Sequence, residues 1–121
     1  MENIITGVDI GGTHITVCLV DIQNGTVIKN SGSRAHIDTS LDATTIISSW
    51  AAVIKEAHQK TNQPINKIGI AMPGPFDYEL GISYIRGLHK YESLYGLNVK
   101  QLLAEELNAL KELVHKQKQL H

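Results

Sequence analysis

The chain has 121 residues, 42% of them hydrophobic and 19% charged, with a net charge of −1. This is one domain's worth of polypeptide, apolar enough to bury a core, which excludes wholesale disorder and a second complete domain. The near-zero charge gives no electrostatic reason to expect nucleic acid or an anionic membrane as partner, and no apolar run approaches membrane-spanning length.

The chain opens with two apolar, β-branched runs, residues 3–8 and 14–20, which suit strands. Between them Gly11 and Gly12 predict a hairpin corner, because glycine reaches positive φ cheaply and lets another group come close to the backbone. Two readings of this corner stay open. In one, Gly-Gly is a type I′ turn and Asp9 a turn-stabilising side chain. In the other, the corner points amide N–H groups at an anion, and Asp9 holds a Mg²⁺ between itself and phosphate, directly or through water. The lone Cys18, in the second run, reads as a small buried hydrophobe. With no disulfide partner and no basic-then-apolar leader, a cytoplasmic location is expected.

Gln23-Asn24-Gly25 is a strong turn signal, so residues 26–33 are expected to add a third strand antiparallel to the second. Asp38, Thr39, Ser40 and Asp42 offer helix N-caps, and residues 41–60 carry Ile47, Trp50, Ile54 and Ala57 at helical spacing, backed by Ile46 and Val53. An amphipathic helix against the sheet follows, with Trp50 in its core stripe. After a break at Thr61-Asn62-Gln63-Pro64, residues 65–72 read as a strand that can join the sheet parallel to an earlier one. Residues 72–77, Met-Pro-Gly-Pro-Phe-Asp, then make a rigid loop at that strand's carboxyl end, where open α/β sheets bind ligands; an ordinary turn is the alternative.

Residues 78–95 lack clear periodicity, with 82–85 at most a short strand. Tyr84, Arg86, His89, Lys90, Tyr91 and Tyr95 there are candidates for contact with a polyhydroxylated ligand. Asn98 is the expected N-cap of a second helix with Leu102, Leu103, Leu107, Leu110 and Val114 on one face, fraying into a basic tail at 109–121. The six histidines lack ligand spacing, so no structural zinc is expected.

Placed together, GVDIGGTHITVCLVD at 7–21, IGIAMPGPFD at 68–77, Gly81 with its following strand, and HKYESLYGLNVKQLL at 89–103 resemble the N-terminal domain of ROK-family sugar kinases (repressors, open reading frames and kinases). That family lies within the actin, Hsp70 and hexokinase-like superfamily, and order and spacing carry the resemblance more than any one block. It covers residues 1–108 as one domain, leaves 109–121 as a helical extension or truncation tail, and finds the C-terminal domain absent. It implies an α/β, ribonuclease H-like (actin-like ATPase) fold: a three-stranded antiparallel start followed by α-β-α, giving a mixed sheet flanked by helices. It also implies ATP and Mg²⁺ as cofactors and a small sugar as partner, held in a cleft between two domains. By the same resemblance Asp9 organises Mg²⁺, while Gly11, Gly12 and Thr13 offer backbone amides, plus one hydroxyl, to the β- and γ-phosphates. Gly74 approaches the sugar through its backbone, and Pro75 and Gly87 shape the pocket.

The departures matter equally. His14 stands where many relatives carry lysine. The strand ending in an Asn-Asp pair, whose aspartate is the family's general base, does not follow the second helix. No catalytic residue is therefore assigned. The expectation is the N-terminal domain of a glucokinase or N-acyl-hexosamine kinase, an enzyme that transfers the ATP γ-phosphate to a sugar hydroxyl, with this chain silent on its own. The alternatives are a sugar-responsive transcriptional regulator of the same family lacking its helix-turn-helix, and a non-catalytic interaction module. The module's apolar face would be covered by homo-oligomerisation.

Overall fold

The computed structural model describes residues 3–108; the expectations for Leu110, Val114 and the tail lie outside them. In chain order the elements are β1 (Ile4–Ile10), β2 (His14–Asp21), β3 (Thr26–Val27), β4 (Ser33–His36), α1 (Ala43–Thr61), β5 (Lys67–Ala71), β6 (Phe76–Asp77) and β7 (Ile82–Ser83). A 3₁₀ turn at Glu92–Leu94 follows, and residues 99–108 are helical. The α/β class and the mixed sheet are as expected.

β1 organises the sheet. It runs antiparallel to β2 from Ile4↔Asp21 to Ile10↔Ile15 and parallel to β5 from Ile5↔Lys67 to Asp9↔Ala71. Period-two alternation sends Ile4, Val8 and Ile10 to one buried face, together with Ile15, Val17 and Leu19 of β2. α1 covers that face with Ile46, Ile47, Trp50, Ala51, Val53, Ile54 and Ala57, all buried. The helix is rich in β-branched residues, so its stability comes chiefly from this packing and less from intrinsic propensity. Burying one such aliphatic side chain contributes about 1.5–3 kcal/mol. Trp50 belongs to the core, fully buried and edge-on to Tyr91 at 5.8 Å between ring centroids.

Local signals set the ends of α1. Of the four candidate caps, Asp42 serves: its carboxylate accepts from the Thr45 N–H at 2.9 Å. Hydrogen bonding from the Thr45 side chain first, and then from its N–H, holds the Asp42 carboxyl below the usual carboxylate range. Asn62 ends the helix in the left-handed conformation, its N–H donating to the His58 carbonyl. His58 also bonds Thr6 Oγ1 at 2.7 Å and the Gln63 carbonyl at 2.9 Å, tying the end of α1 to the middle of β1.

The expected continuous strand at 26–33 is corrected. It is two short segments, β3 and β4, both antiparallel to β2. Val20 pairs with Val27 and Val17 with Ser33, so three steps along β2 correspond to six along its partner. Asn30 takes φ 65° in the intervening turn. The buried Ser31 hydroxyl accepts the Leu19 N–H at 3.0 Å and donates to the Ile28 carbonyl at 2.8 Å, replacing a backbone ladder partner.

β6 and β7 form a separate small hairpin, closed by Asp77, whose carboxylate accepts from the N–H groups of Glu79 and Leu80, each at 3.0 Å. Asn98 caps the second helix as expected, its side chain accepting from the Gln101 N–H at 3.0 Å, and Leu103 and Leu107 are buried. Gly81, in the hairpin's turn at φ 80°, packs against the start of the second helix, and a Cβ there would overlap Lys100 Cβ. Gly81→Ala therefore combines backbone strain with a backbone-proximal clash, and it should lower stability by about 2 kcal/mol or more. Asp42→Ala, which removes only a cap, should cost about 1 kcal/mol. Urea unfolding of both variants beside the parent chain checks the order.

Candidate functional site

Because β1 and β5 are parallel, their carboxyl ends lie on the same edge, and the Asp9↔Ala71 pairing sets them side by side. The glycine corner continues from one strand and the Met72–Asp77 loop from the other. Asp9 is on the face of β1 opposite α1 and is exposed, with no ion pair or hydrogen bond to its carboxylate among the described residues.

The corner differs in detail from the expected Gly11-Gly12 turn. The β1–β2 register makes Gly11 and His14 opposite partners, joined by Gly11 N–H donating to the His14 carbonyl at 2.8 Å, so the tip is Gly12-Thr13. The left-handed glycines among the described residues are Gly25, Gly81, Gly87 and Gly96; Gly11 and Gly12 are not among them, which excludes a type I′ turn. Space explains both glycines instead. A Cβ on Gly11 would come within 3.3 Å of the His14 carbonyl oxygen, and one on Gly12 within 2.7 Å of Lys90 Nζ. With the Gly11 amide committed, those of Gly12 and Thr13 have no protein acceptor among the described residues.

Thr13 is exposed. Its hydroxyl bonds His14 Nδ1 at 2.8 Å and its carbonyl accepts from the Ile37 N–H, also at 2.8 Å. His14 meets His36 edge to face at 5.2 Å. Desolvation first, then the charges of Arg34 and His36, hold His14 below its ordinary value, so at neutral pH it offers a neutral ring rather than a cation.

The loop after β5 is pinned at its base by Tyr78, whose hydroxyl accepts the Met72 N–H and donates to the Met72 carbonyl, both at 2.9 Å. Gly74 and Pro75 are exposed beyond it, and the Pro75 carbonyl accepts from the Tyr84 N–H at 3.0 Å. Gly87, at φ 76°, lies three residues further along. Nothing lies within 4 Å of a Cβ built on Gly74 or Gly87, so both face open space. A cavity of about 240 Å³ between β5 and the β6–β7 hairpin is walled by Ile68, Ile70, Met72 and Phe76, and neither Asp9 nor the corner lines it.

Two residues gain a sharper role. Tyr91, one of the candidate ligand contacts, is 1% exposed and its hydroxyl donates to the Gly11 carbonyl at 2.6 Å. It is a structural clamp on the corner, and Lys90 beside it overlies Gly12. No local signal in the sequence could join positions eighty residues apart.

Among the described residues no group of three or more histidine, cysteine or acidic side chains is placed to hold a metal. No described helix is long and apolar enough to cross a membrane.

Fold and site together define an α/β domain whose glycine corner and proline-glycine loop share one edge of a mixed sheet. The chain belongs to the ROK family, whose model matches residues 5–116. It is similar in structure to the ROK hexokinase of Thermus thermophilus (TM-score 0.68, 19% identity, 87% of this chain and 32% of that one). It is similar also to the inorganic polyphosphate/ATP-glucomannokinase of an Arthrobacter strain (0.71, 21%, 87% and 41%). A third neighbour is the ROK glucokinase of Streptomyces griseus, in complex with glucose and AMPPNP (0.67, 21%, 87% and 30%). The chain thus spans between about a third and two fifths of the length of these neighbours. No curated protein sequence matches it.

Burial pushes the Tyr91 phenol up to about 12. An unfolded tyrosine titrates near its usual ~10, so this stabilisation is complete below pH ~10 and is lost as the pH rises towards ~12. The parent chain should therefore lose roughly 1–2 kcal/mol across that window. Tyr91→Phe, about 1 kcal/mol less stable at neutral pH, should show a flatter alkaline decline. Denaturant unfolding at pH 8, 10 and 11 reads both effects.

Proposed function

We propose that this chain is the phosphate- and Mg²⁺-binding part of an ATP-dependent sugar kinase of the glucokinase or N-acyl-hexosamine kinase type, in a ribonuclease H-like (actin-like ATPase) frame. One observation carries the reading. The Asp9 carboxylate, the unpartnered amides of Gly12 and Thr13, and the Gly74-Pro75 loop all follow the carboxyl ends of β1 and β5, which the Asp9↔Ala71 pairing sets side by side.

In this reading the amides of Gly12 and Thr13 and the Thr13 hydroxyl bind the β- and γ-phosphates, while Gly11 shapes the corner by closing it onto His14. Asp9 is the residue that would hold Mg²⁺, directly or through its waters, and the ion when bound would supply charge neutralisation at the phosphates. Gly74, Pro75 and Gly87 bound the side where a sugar enters, and bare glycine backbone there permits close approach. The neighbour in complex with glucose and AMPPNP supports ATP and a hexose as ligand classes. Phosphoryl transfer asks of these residues mainly position and charge compensation. A base for the sugar hydroxyl, and the walls around the sugar and adenosine, belong to a second domain of a longer protein. Chain coverage of about a third of two of the neighbours supports that division.

The purified 121-residue chain should bind ATP, and Mg²⁺ should tighten that binding in the parent but not in Asp9→Asn. Calorimetric titration with and without the ion reads the difference; equal Mg²⁺ dependence in parent and variant would remove Asp9 from the site. In a coupled ADP-release assay against a hexose panel the chain alone should stay at background, and clear turnover would overturn the division into two parts.

A further inference from the structure

We infer that Lys90 is a phosphate-contacting residue of the glycine corner, with its ammonium acting as a third donor beside the amides of Gly12 and Thr13. The inference rests on reading the corner as an anion site and adds to it a cation delivered by a segment remote in sequence.

Three observations carry it. The distal half of the Lys90 side chain overlies the corner: Nζ, Cδ and Cε lie 2.7, 3.5 and 3.6 Å from where a Gly12 Cβ would stand. The ammonium has no carboxylate or other protein acceptor among the described residues, although a surface lysine is free to turn to one. And its backbone is held in place. Lys90 lies between His89 and Tyr91, both left-handed at φ 57°, a conformation that a bulky residue such as Tyr91 keeps only where surroundings enforce it. Tyr91 supplies the enforcement, with its ring against Trp50, its N–H on the Thr39 carbonyl at 3.0 Å and its hydroxyl on the Gly11 carbonyl. The residue that clamps the corner also aims the lysine at it.

The chemistry is complementary. Two free amides give directional but weakly charged contacts, and Asp9 nearby adds negative charge. An ammonium over Gly12 offsets that charge when a polyphosphate enters, and its flexible stem lets it follow the terminal phosphate. The absence of a side chain at position 12 is what makes room for it. Gly12 has no positive φ to satisfy, and the atom a methyl would meet is the mobile end of Lys90, so Gly12→Ala should fold normally yet displace the ammonium.

The test is calorimetric titration of the 121-residue chain with inorganic tripolyphosphate and, separately, Mg²⁺-free ATP at two salt concentrations. Lys90→Met should weaken both at least tenfold and flatten the salt dependence, while Lys90→Arg stays within about threefold and Lys55→Met, on α1, is unchanged. Gly12→Ala should weaken binding similarly, and the double variant Gly12→Ala/Lys90→Met should be little worse than either single one. Unchanged thermal midpoints show that the folds are intact. Parent-like affinity in Lys90→Met overturns the Lys90 assignment alone. Failure of the parent chain to bind either probe overturns the anion-site reading and this inference with it.

Discussion

The parallel pairing of β1 with β5 is the constraint from which the candidate site follows. An antiparallel partner would have sent the loop after β5 to the opposite edge of the sheet. The parallel register places Ala71 beside Asp9, so the corner after one strand and the loop after the other share an edge. Parallel strands cannot be joined by a tight turn, and α1 supplies the crossover. The packing of Ile46, Trp50 and Ile54 beneath β1 and β2 is thus a condition of the site, although none of these residues reaches it.

A second layer of constraint comes from the irregular segment between β7 and the second helix. It holds one 3₁₀ turn and is bonded to β7 through Ser83, and it is tied to the corner and the core through Tyr91, which bonds backbone at Gly11 and Thr39 and packs on Trp50. Ser93 adds a bond to the Leu41 carbonyl at 2.8 Å. The core of the helix–sheet layer and the geometry of the corner therefore share one aromatic side chain.

Where residues carry their own signal, the sequence was legible. β-branched alternation marked β1 and β2, the polar cluster Asp38, Thr39, Ser40 and Asp42 bracketed the start of α1 without saying which of them caps it, and Pro64 preceded a strand that does join the sheet parallel to β1. The third strand failed because a single hydroxyl, Ser31, stands in for a backbone partner, a substitution that propensity does not encode. The corner was misplaced by one residue because two consecutive glycines suggest a positive-φ turn, whereas here they answer to crowding by His14 and Lys90. Asp9, Gly11, Gly12 and Thr13 could be singled out from a local pattern. Tyr91 and Lys90 could be suspected only of touching a ligand, since their position against the corner depends on the whole intervening fold.

Left-handed backbone is distributed unevenly along the chain. It falls on Asn30, Asn62, His89 and glycines, residue types found there more readily, whereas Tyr91 adopts it against preference, at about 1 kcal/mol or more. That strain is relieved if the Tyr91 ring leaves its seat against Trp50. Local opening of this segment is consequently easier than its contacts alone suggest, and hydrogen exchange at the corner would report the release of a remote tyrosine.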